Sequence, residues 1–100
     1  MDRSNVCYLI SITYTEDAIK QQIPTETRKK VYCNVQSITQ TEFFSAGEKG
    51  IQPEYKLTVF SPDYSGENTV EFNGRRYGIY RTYMAKDGVI ELYLEYKAGL

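Results

Sequence analysis

Residues 70–80 read VEFNGRRYGIY, and this stretch decides the fold because it encodes two strands joined by a tight turn. Asn73 and Gly74 both accept the positive φ angles that a two-residue type I′ turn requires between antiparallel strands. Apolar and polar side chains alternate on each side of the turn, with the two-residue period of a β-strand. The stretch therefore predicts a β-hairpin, and Gly78 in its second strand marks a position for a bulge or bend.

The same period recurs on both sides of this hairpin, in the segments 6–14, 29–37, 55–59 and 90–96. The expected inward positions are the even residues of 6–14 and 90–96 and the odd residues of 29–37 and 55–59, while the odd residues of 77–83 share one face. A weaker strand candidate, 18–23, ends at Pro24 because proline cannot donate to a strand ladder. Six or seven short strands at regular spacing predict a mainly β fold, either a small antiparallel β-barrel or a sandwich.

Just after the segment 29–37, the sequence changes to the pattern of a helix start. Thr39 and Glu42 have the spacing of a capping box, in which the threonine hydroxyl accepts a backbone amide and the carboxylate reaches back to the cap. Ile38 and Phe43 have the spacing of a hydrophobic staple across the same turn. These features predict one short helix over residues 40–46.

The end of this helix and the connection that follows it are defined by glycine and proline. Gly47 is expected to stop the helix in the left-handed conformation, and residues 48–53 then form a long projecting loop. A helix of two turns is too short to be stable alone in water. Phe43 and Phe44 are therefore expected to dock on another surface.

The composition predicts a single domain over residues 1–100 without catalytic chemistry. Hydrophobic residues make up 41% of the chain and charged residues 25%, and the net charge is −1. The chain has ten tyrosines but no histidine, so a common catalytic base and zinc ligand is missing. We expect no catalytic, cofactor-binding or metal site, and we predict that the protein is not an enzyme.

The two cysteines and the amino-terminal segment support the same class of protein. Cys7 and Cys33 lie far apart in sequence and are expected to be free thiols that pack as small hydrophobic side chains. The polar start MDRSN and the interruptions at Ser11 and Thr13 argue against a secretory leader or a membrane span. We therefore expect the chain to stay in the cytoplasm in which it is made, with no membrane partner.

A long central run carries a family resemblance. Residues 31–83, VYCNVQSITQTEFFSAGEKGIQPEYKLTVFSPDYSGENTVEFNGRRYGIYRTY, followed by IELY, resemble the head closure or head-tail adaptor proteins of long-tailed bacteriophages. The preceding IPTETRKKV extends the resemblance, which covers residues 23–93. Its specificity lies in the ordered combination of AG-x-x-G-I-x-PEY, DYSGE and EFNGRRYGIYRTY rather than in a chemical motif.

The resemblance implies a small β-barrel that forms the stopper of a head-tail connector. Identical subunits, about twelve in this family, would assemble as a ring beneath the portal of a phage or prophage capsid. The ring would close the DNA channel after packaging and offer a docking surface to the tail. Its implied partners are the portal-bound adaptor protein and a tail or tail-completion protein, and its implied location is the head-tail interface of the virion, after a period in the host cytoplasm.

Two groups of residues are the candidates for these roles. The channel-loop candidates are polar residues around the predicted helix: Thr39, Gln40, Thr41, Glu42, Glu48, Lys49 and Gln52. The subunit-interface candidates are aromatic or cationic, as interface hot spots often are: Tyr32, Phe43, Phe44, Arg75, Arg76, Tyr80, Arg81 and Tyr93. The interspersed charges would let double-stranded DNA pass without sequence-specific binding, since tight binding needs an excess of lysine and arginine.

Two alternatives stay open at this point. The segment 39–53 is either a fixed helix with its loop or a gate that extends and meets its symmetry mates on the ring axis. A different function is that of a small barrel of the oligonucleotide-binding kind, in which tyrosines stack on single-stranded nucleic acid. This function calls for a basic groove, and the net charge of −1 with interspersed basic and acidic residues gives no indication of one.

Overall fold

The computed structural model describes residues 5–97 as a closed six-stranded antiparallel β-barrel with one short α-helix. Residues 1–4 and 98–100 lie outside the described residues, and with them most of the polar start MDRSN. The predicted mainly β class and the barrel are confirmed, and the sandwich is excluded. The elements are β1 (Asn5–Glu16), β2 (Gln22–Ser37), α1 (Gln40–Gly47), β3 (Pro53–Phe60), a 3-10 turn (Ser61–Asp63), β4 (Thr69–Phe72), β5 (Arg75–Met84) and β6 (Val89–Tyr96).

The barrel closes in the order β1-β2-β3-β6-β5-β4, and β4 pairs again with β1. Every neighbouring pair is antiparallel. Closure leaves no open sheet edge around the barrel itself, because each strand pairs on both sides over part of its length. This architecture gives a small chain one compact core.

The hairpin formed by β4 and β5 has the predicted turn. Phe72 pairs with Arg75, and between them Asn73 and Gly74 have φ angles of 54° and 74°. Both values lie in the left-handed region that a type I′ turn needs. The expected bulge occurs at Tyr80 rather than at Gly78, since the register of β5 against β6 shifts between Ile79 and Arg81.

The core confirms most of the predicted faces and corrects one of them. Fully buried side chains include Leu57, Val59, Leu92 and Leu94, as the periods of β3 and β6 predict. On β1 the predicted inward face was wrong, because the odd residues Cys7 and Leu9 belong to the core, and of the even residues only Ile10 is buried. The even residues Tyr8, Ile12 and Tyr14 are partly or largely exposed, and Tyr8 lies under the guanidinium of Arg28 at 4.5 Å.

The shared face predicted for residues 77–83 is also wrong beyond the bulge. Tyr77 is buried and Ile79 packs against the core, but the extra residue at Tyr80 reverses the alternation. Arg81 and Tyr83 therefore lie exposed on the outside. Tyr96, expected inside, is 43% exposed at the end of β6.

A long β-ribbon made by β1 and β2 extends from the barrel. The two strands pair from Asn5 opposite Cys33 to Glu16 opposite Gln22. β1 pairs with β4 only at residues 8–10, and β2 pairs with β3 only at residues 33–37. Residues 11–32 therefore form a two-stranded ribbon with its turn, here called the arm, and the protein measures 50 × 31 × 23 Å.

The arm overturns two predictions about the strand candidate 18–23. Residues 18–21 belong to the turn between β1 and β2, and the strand that begins at Gln22 does not end at Pro24. This proline lies inside β2, opposite Tyr14 of β1. It is tolerated because β2 has only one neighbouring strand at this position, so one side of its backbone needs no partner.

Candidate functional site

The predicted helix forms at the predicted place, with half of the expected capping box. The side-chain oxygen of Thr39 accepts the backbone amide of Glu42 at 3.2 Å, and α1 begins at Gln40. The other half is replaced, because the carboxylate of Glu42 is bonded to β5 rather than to the cap. It accepts a hydrogen bond from the Tyr80 hydroxyl at 2.9 Å and forms an ion pair with Arg81.

The bulge in β5 makes this arrangement possible. Ile79 pairs with Leu94 and Arg81 pairs with Tyr93, which leaves Tyr80 as an extra residue on the bulged strand. A bulge re-aims side chains. As a result, Tyr80 and its neighbour Arg81 both reach Glu42 on the helix, although regular alternation would point them to opposite faces.

Tyr93 of β6 completes the contact between helix and barrel. The guanidinium of Arg81 lies 4.0 Å from the centre of the Tyr93 ring, and the rings of Tyr80 and Tyr93 are 6.1 Å apart. The Tyr93 hydroxyl donates to Glu91 at 2.9 Å, and Glu91 lies 3.6 Å from the ammonium of Lys56. We call the four residues that join α1 to the barrel, Glu42, Tyr80, Arg81 and Tyr93, the helix clamp.

The pKa values of the two tyrosines in the clamp are raised. Burial, followed by the hydrogen bond to Glu42, raises the pKa of Tyr80. Burial and the hydrogen bond to Glu91 raise the pKa of Tyr93 in the same way. A tyrosine with the ordinary pKa of about 10 is already protonated at neutral pH, and the raised pKa values keep both hydroxyl groups as hydrogen-bond donors to a higher pH.

The helix stops later than predicted, at a different glycine. Gly47 does not have a positive φ and is the last residue of α1, whereas Gly50 has a φ of 77°. The amide of Ile51 donates to the carbonyl of Ala46 and that of Gly50 to the carbonyl of Gly47, both at 3.0 Å. This pair of bonds is a Schellman motif with Gly50 as the left-handed residue, so the prediction for Gly47 was wrong.

The connection from α1 to β3 is tied to its surroundings. Besides the Schellman bonds, the amide of Tyr96 donates to the carbonyl of Gln52 at 3.4 Å. Pro53 is buried and begins β3. Residues 48–52 thus turn back along the helix, and the arm is the element that extends farthest beyond the paired strands of the barrel.

Two clefts flank the helix. The first, about 660 Å³, lies between α1 and the strands β5 and β6, and the second, about 530 Å³, lies at the carboxyl end of α1. The first is lined by Thr39, Thr41, Glu42, Ser45, Ala46, Lys49, Ile51, Tyr80, Arg81 and Tyr93. The second is lined by Phe43, Gly47, Gly50, Ile51, Gln52, Pro53 and Glu54.

Within a single chain, Phe43 and Phe44 of the helix are largely exposed, although they were expected to dock on another surface. Phe43 is 52% exposed and Phe44 is 61% exposed, and their rings meet edge to face at 6.1 Å. The only buried residue of α1 is Ala46. Within a single chain, the polar clamp rather than an apolar face holds this helix, and an aromatic pair remains open to solvent.

The structure brings some of the candidate residues together and separates others. Most of the channel-loop candidates join Tyr80, Arg81, Tyr93 and Phe43 around the two clefts, while Gln40, Glu48 and Phe44 lie exposed on the helix side. The remaining interface candidates have partners elsewhere: Tyr32 lies near Lys30 at 5.7 Å, Arg75 lies 5.1 Å from the Tyr96 ring, and Arg76 pairs with Glu26 and Glu71. Glu91, Lys56 and the arm were not among the candidates predicted from the sequence.

Other kinds of site have little support in the described part of the chain. Residues 5–97 contain no group of three potential metal ligands. Cys7 and Cys33 are free thiols with no exposed surface, as predicted, and the hydrogen bond between them, together with burial, raises the pKa of Cys7. No helix among these residues has the length and hydropathy needed to cross a membrane.

The chain matches no protein-family model, and no curated protein is significantly similar to it in sequence.

Proposed function

We propose that this protein is a structural component of a bacteriophage head-tail connector. In this role it forms a ring of identical subunits under the portal and adaptor, closes the DNA channel after packaging and provides the surface on which the tail docks. The proposal rests on the sequence resemblance over residues 23–93 and on one structural observation. That observation is the solvent-exposed aromatic pair, Phe43 and Phe44, on a helix that is clamped to the outside of a closed barrel.

The aromatic pair supports assembly because two adjacent phenylalanines lose favourable burial when they face water. Burying a phenylalanine side chain contributes about 1.5–3 kcal/mol. A monomer leaves roughly half of each side chain exposed. A partner that covers the pair would recover much of this energy, and phenylalanine is enriched in the buried centre of interfaces.

The charge distribution supports a channel that DNA can pass through. Three arginines of the outer surface are paired with carboxylates, Arg28 with Glu71, Arg76 with Glu26 and Arg81 with Glu42. Paired arginines are poorly placed to neutralise phosphates, and phosphate neutralisation is what makes DNA binding tight. A wall of this kind would let a duplex slide without holding it.

The same pairing weighs against the oligonucleotide-binding alternative. Stacking platforms for single strands need open aromatic faces beside a cationic groove. Tyr80 and Tyr93 instead contact each other, and Arg81 lies over the Tyr93 ring. A filter-binding assay at low and high salt tests this function directly: tight, salt-dependent binding of single-stranded DNA would favour it over the connector.

Disruption of the gene in the phage or prophage that encodes the chain tests the connector proposal. We expect electron micrographs to show separate tails and tailless heads that have lost DNA, and expression of the intact chain in trans to restore tailed particles. Intact, infectious tailed particles from the disrupted genome would refute the proposal.

A second variant separates channel closure from tail docking. Deletion of residues 48–52 removes the connection between the two clefts and changes no residue of the clamp or of the strands. We expect heads that package DNA and then leak it. Stable, filled heads from this deletion would assign closure to another part of the chain. The control substitution Lys86→Ala, in the exposed turn between β5 and β6 and outside both candidate groups, should leave retention unchanged.

A further inference from the structure

The arm has an exposed apolar surface that the barrel does not use. A two-stranded ribbon is only marginally stable in water without a further packing partner. Along residues 11–32, the large apolar side chains that are exposed by 43–71% are Ile12, Tyr14, Ile19, Ile23 and Tyr32. The most exposed of them is Ile19, at 71%, in the turn that joins β1 to β2.

The turn holds Ile19 in a fixed position. The side chain of Asp17 accepts hydrogen bonds from the amides of Ile19 at 3.0 Å and Gln21 at 2.9 Å. The backbone of Asp17 bonds to Gln21 and Lys20, and Lys20 adopts a positive φ of 63°. An apolar side chain on a preorganised turn loses little conformational entropy when it binds, which favours a role as an anchor.

The second cleft has the size and the lining for such an anchor. It lies beside α1, with a volume of about 530 Å³, and its walls include Phe43, Ile51 and Pro53. An apolar side chain placed there would cover part of the exposed Phe43 ring. The cleft is therefore a suitable site for the tip of an arm that extends from another molecule.

One charge beside the anchor is opposite to the charge at the cleft. Lys20 follows Ile19 in the turn, and Glu54 lines the cleft. The tip of the arm also carries Glu16 and Asp17, but the Asp17 carboxylate is already occupied by the amides of Ile19 and Gln21. Within residues 5–97 neither Lys20 nor Glu54 takes part in a salt bridge. An arm that inserted Ile19 would bring Lys20 to Glu54, and this match favours a second copy of this chain as the occupant.

We propose that the arm of one subunit inserts Ile19 into the cleft beside α1 of the neighbouring copy, with Lys20 against Glu54. The contact joins two different surfaces, and a contact of this kind repeats from subunit to subunit until a ring closes. This inference rests on the proposed ring and identifies a lateral contact within it. Because a single anchor and one exposed ion pair make a weak contact, the isolated protein stays mainly monomeric and the connector components complete the ring.

Disulfide trapping detects such a weak contact. The protein carries Ile19→Cys and Gln52→Cys together, since Gln52 lines the cleft, and is concentrated under mild oxidation. We expect a ladder of covalent oligomers on a non-reducing gel. The matched control is Ile12→Cys with Gln52→Cys, because Ile12 is also on the arm and 50% exposed but pairs opposite Glu26, away from the tip. No ladder, or equal ladders from both pairs, would overturn the inference.

A charge exchange tests the partner of Lys20. In the trapping background, Lys20→Glu and Glu54→Lys should each reduce the cross-linked fraction by about fivefold, because each places like charges together. A mixture of the two proteins should regain the original fraction, since each tip then meets a cleft of opposite charge. No recovery in the mixture would refute the Lys20 to Glu54 pairing.

The result of the disulfide-trapping experiment is independent of the result of the gene disruption that tests the connector proposal. If gene disruption abolishes tailed particles but trapping fails, the connector proposal stands and the arm contact falls. If trapping succeeds but tailed particles form without the gene, the contact stands as self-association of this chain and the connector proposal falls.

Discussion

Replacement of Glu42 by alanine should release α1 from the barrel without unfolding the barrel. Glu42 accepts the Tyr80 hydroxyl and pairs with Arg81, and these two contacts account for most of the polar attachment of the helix. A hydrogen bond to a charged group contributes about 1.5–3 kcal/mol. The ion pair contributes less, since the side chain of Arg81 is 45% exposed and water screens it.

The expected loss in the free energy of docking is therefore about 2 kcal/mol, which corresponds to about 30-fold faster exchange of the helix amides. Amide hydrogen exchange measured by NMR reports this change residue by residue. The amides of Glu48 and Ile51, which bond within the helix and its end, should exchange faster in Glu42→Ala. The amides of Leu57 and Leu92 in the core strands should keep their rates.

The matched control is Glu48→Ala, because Glu48 is exposed and lies outside both clefts. It should change the exchange rates by less than about threefold, as surface substitutions usually change stability by under about 0.5 kcal/mol. Equal rates in Glu42→Ala and in the unchanged protein would refute the clamp. Equal acceleration in helix and strands would show that the helix and barrel unfold together.

Three further predictions concern the turn, the tyrosines and the thiols. The double substitution Asn73→Val with Gly74→Val should lower the free energy of unfolding, measured by urea denaturation, by about 2–4 kcal/mol because both positions have a positive φ. The control Asn73→Asp should leave it nearly unchanged. Equal stability of the double valine variant would show that the turn tolerates β-branched residues. The raised pKa of Tyr80 means that its contribution to stability is complete below the ordinary tyrosine value of about 10 and is lost as the pH rises through the raised pKa. Tyr80→Phe should therefore flatten part of the fall in unfolding free energy above about pH 10, and an unchanged slope would contradict this. Cys7 and Cys33 have no exposed surface, so a thiol reagent should react with them only in denaturant, and prompt reaction with the native protein would contradict their burial.

The parts of the fold that follow from local chemistry were predictable from the sequence. Asn73 and Gly74 specify their turn because few residue pairs accept two positive φ angles. Thr39 marks the helix start because a hydroxyl at that spacing satisfies a backbone amide that has no partner within the helix. The alternating faces of β3 and β6 follow from a core that lies on one side of each strand.

The parts that depend on distant residues were not predictable in this way. The inward face of β1 was misassigned because Ile12 and Tyr14 belong to the arm, where both faces of the ribbon meet water and an apolar period carries no information about the core. The second half of the capping box does not form because the Glu42 carboxylate accepts hydrogen bonds from Tyr80 and Arg81 instead, and these residues lie far away in sequence. Their position depends on the bulge at Tyr80, and a tyrosine in the sequence does not indicate a bulge.

The choice of Gly50 over Gly47 as the helix stop has a similar origin. Both glycines accept a left-handed conformation, so the sequence offers two possible ends. The longer helix places Ile51 beside Ala46, the one residue of α1 that is buried. That contact favours the later stop, and it becomes visible only when the helix lies on the barrel.

The head-tail junction of the phage that encodes this chain is the place to test the central claim. Electron cryomicroscopy of that junction should show a ring of six-stranded barrels between the adaptor and the tail, with residues 39–53 of every subunit facing the DNA channel. A junction that contains no such barrel would contradict the account, and a ring whose segments 39–53 face away from the channel would leave the connector without the proposed closure.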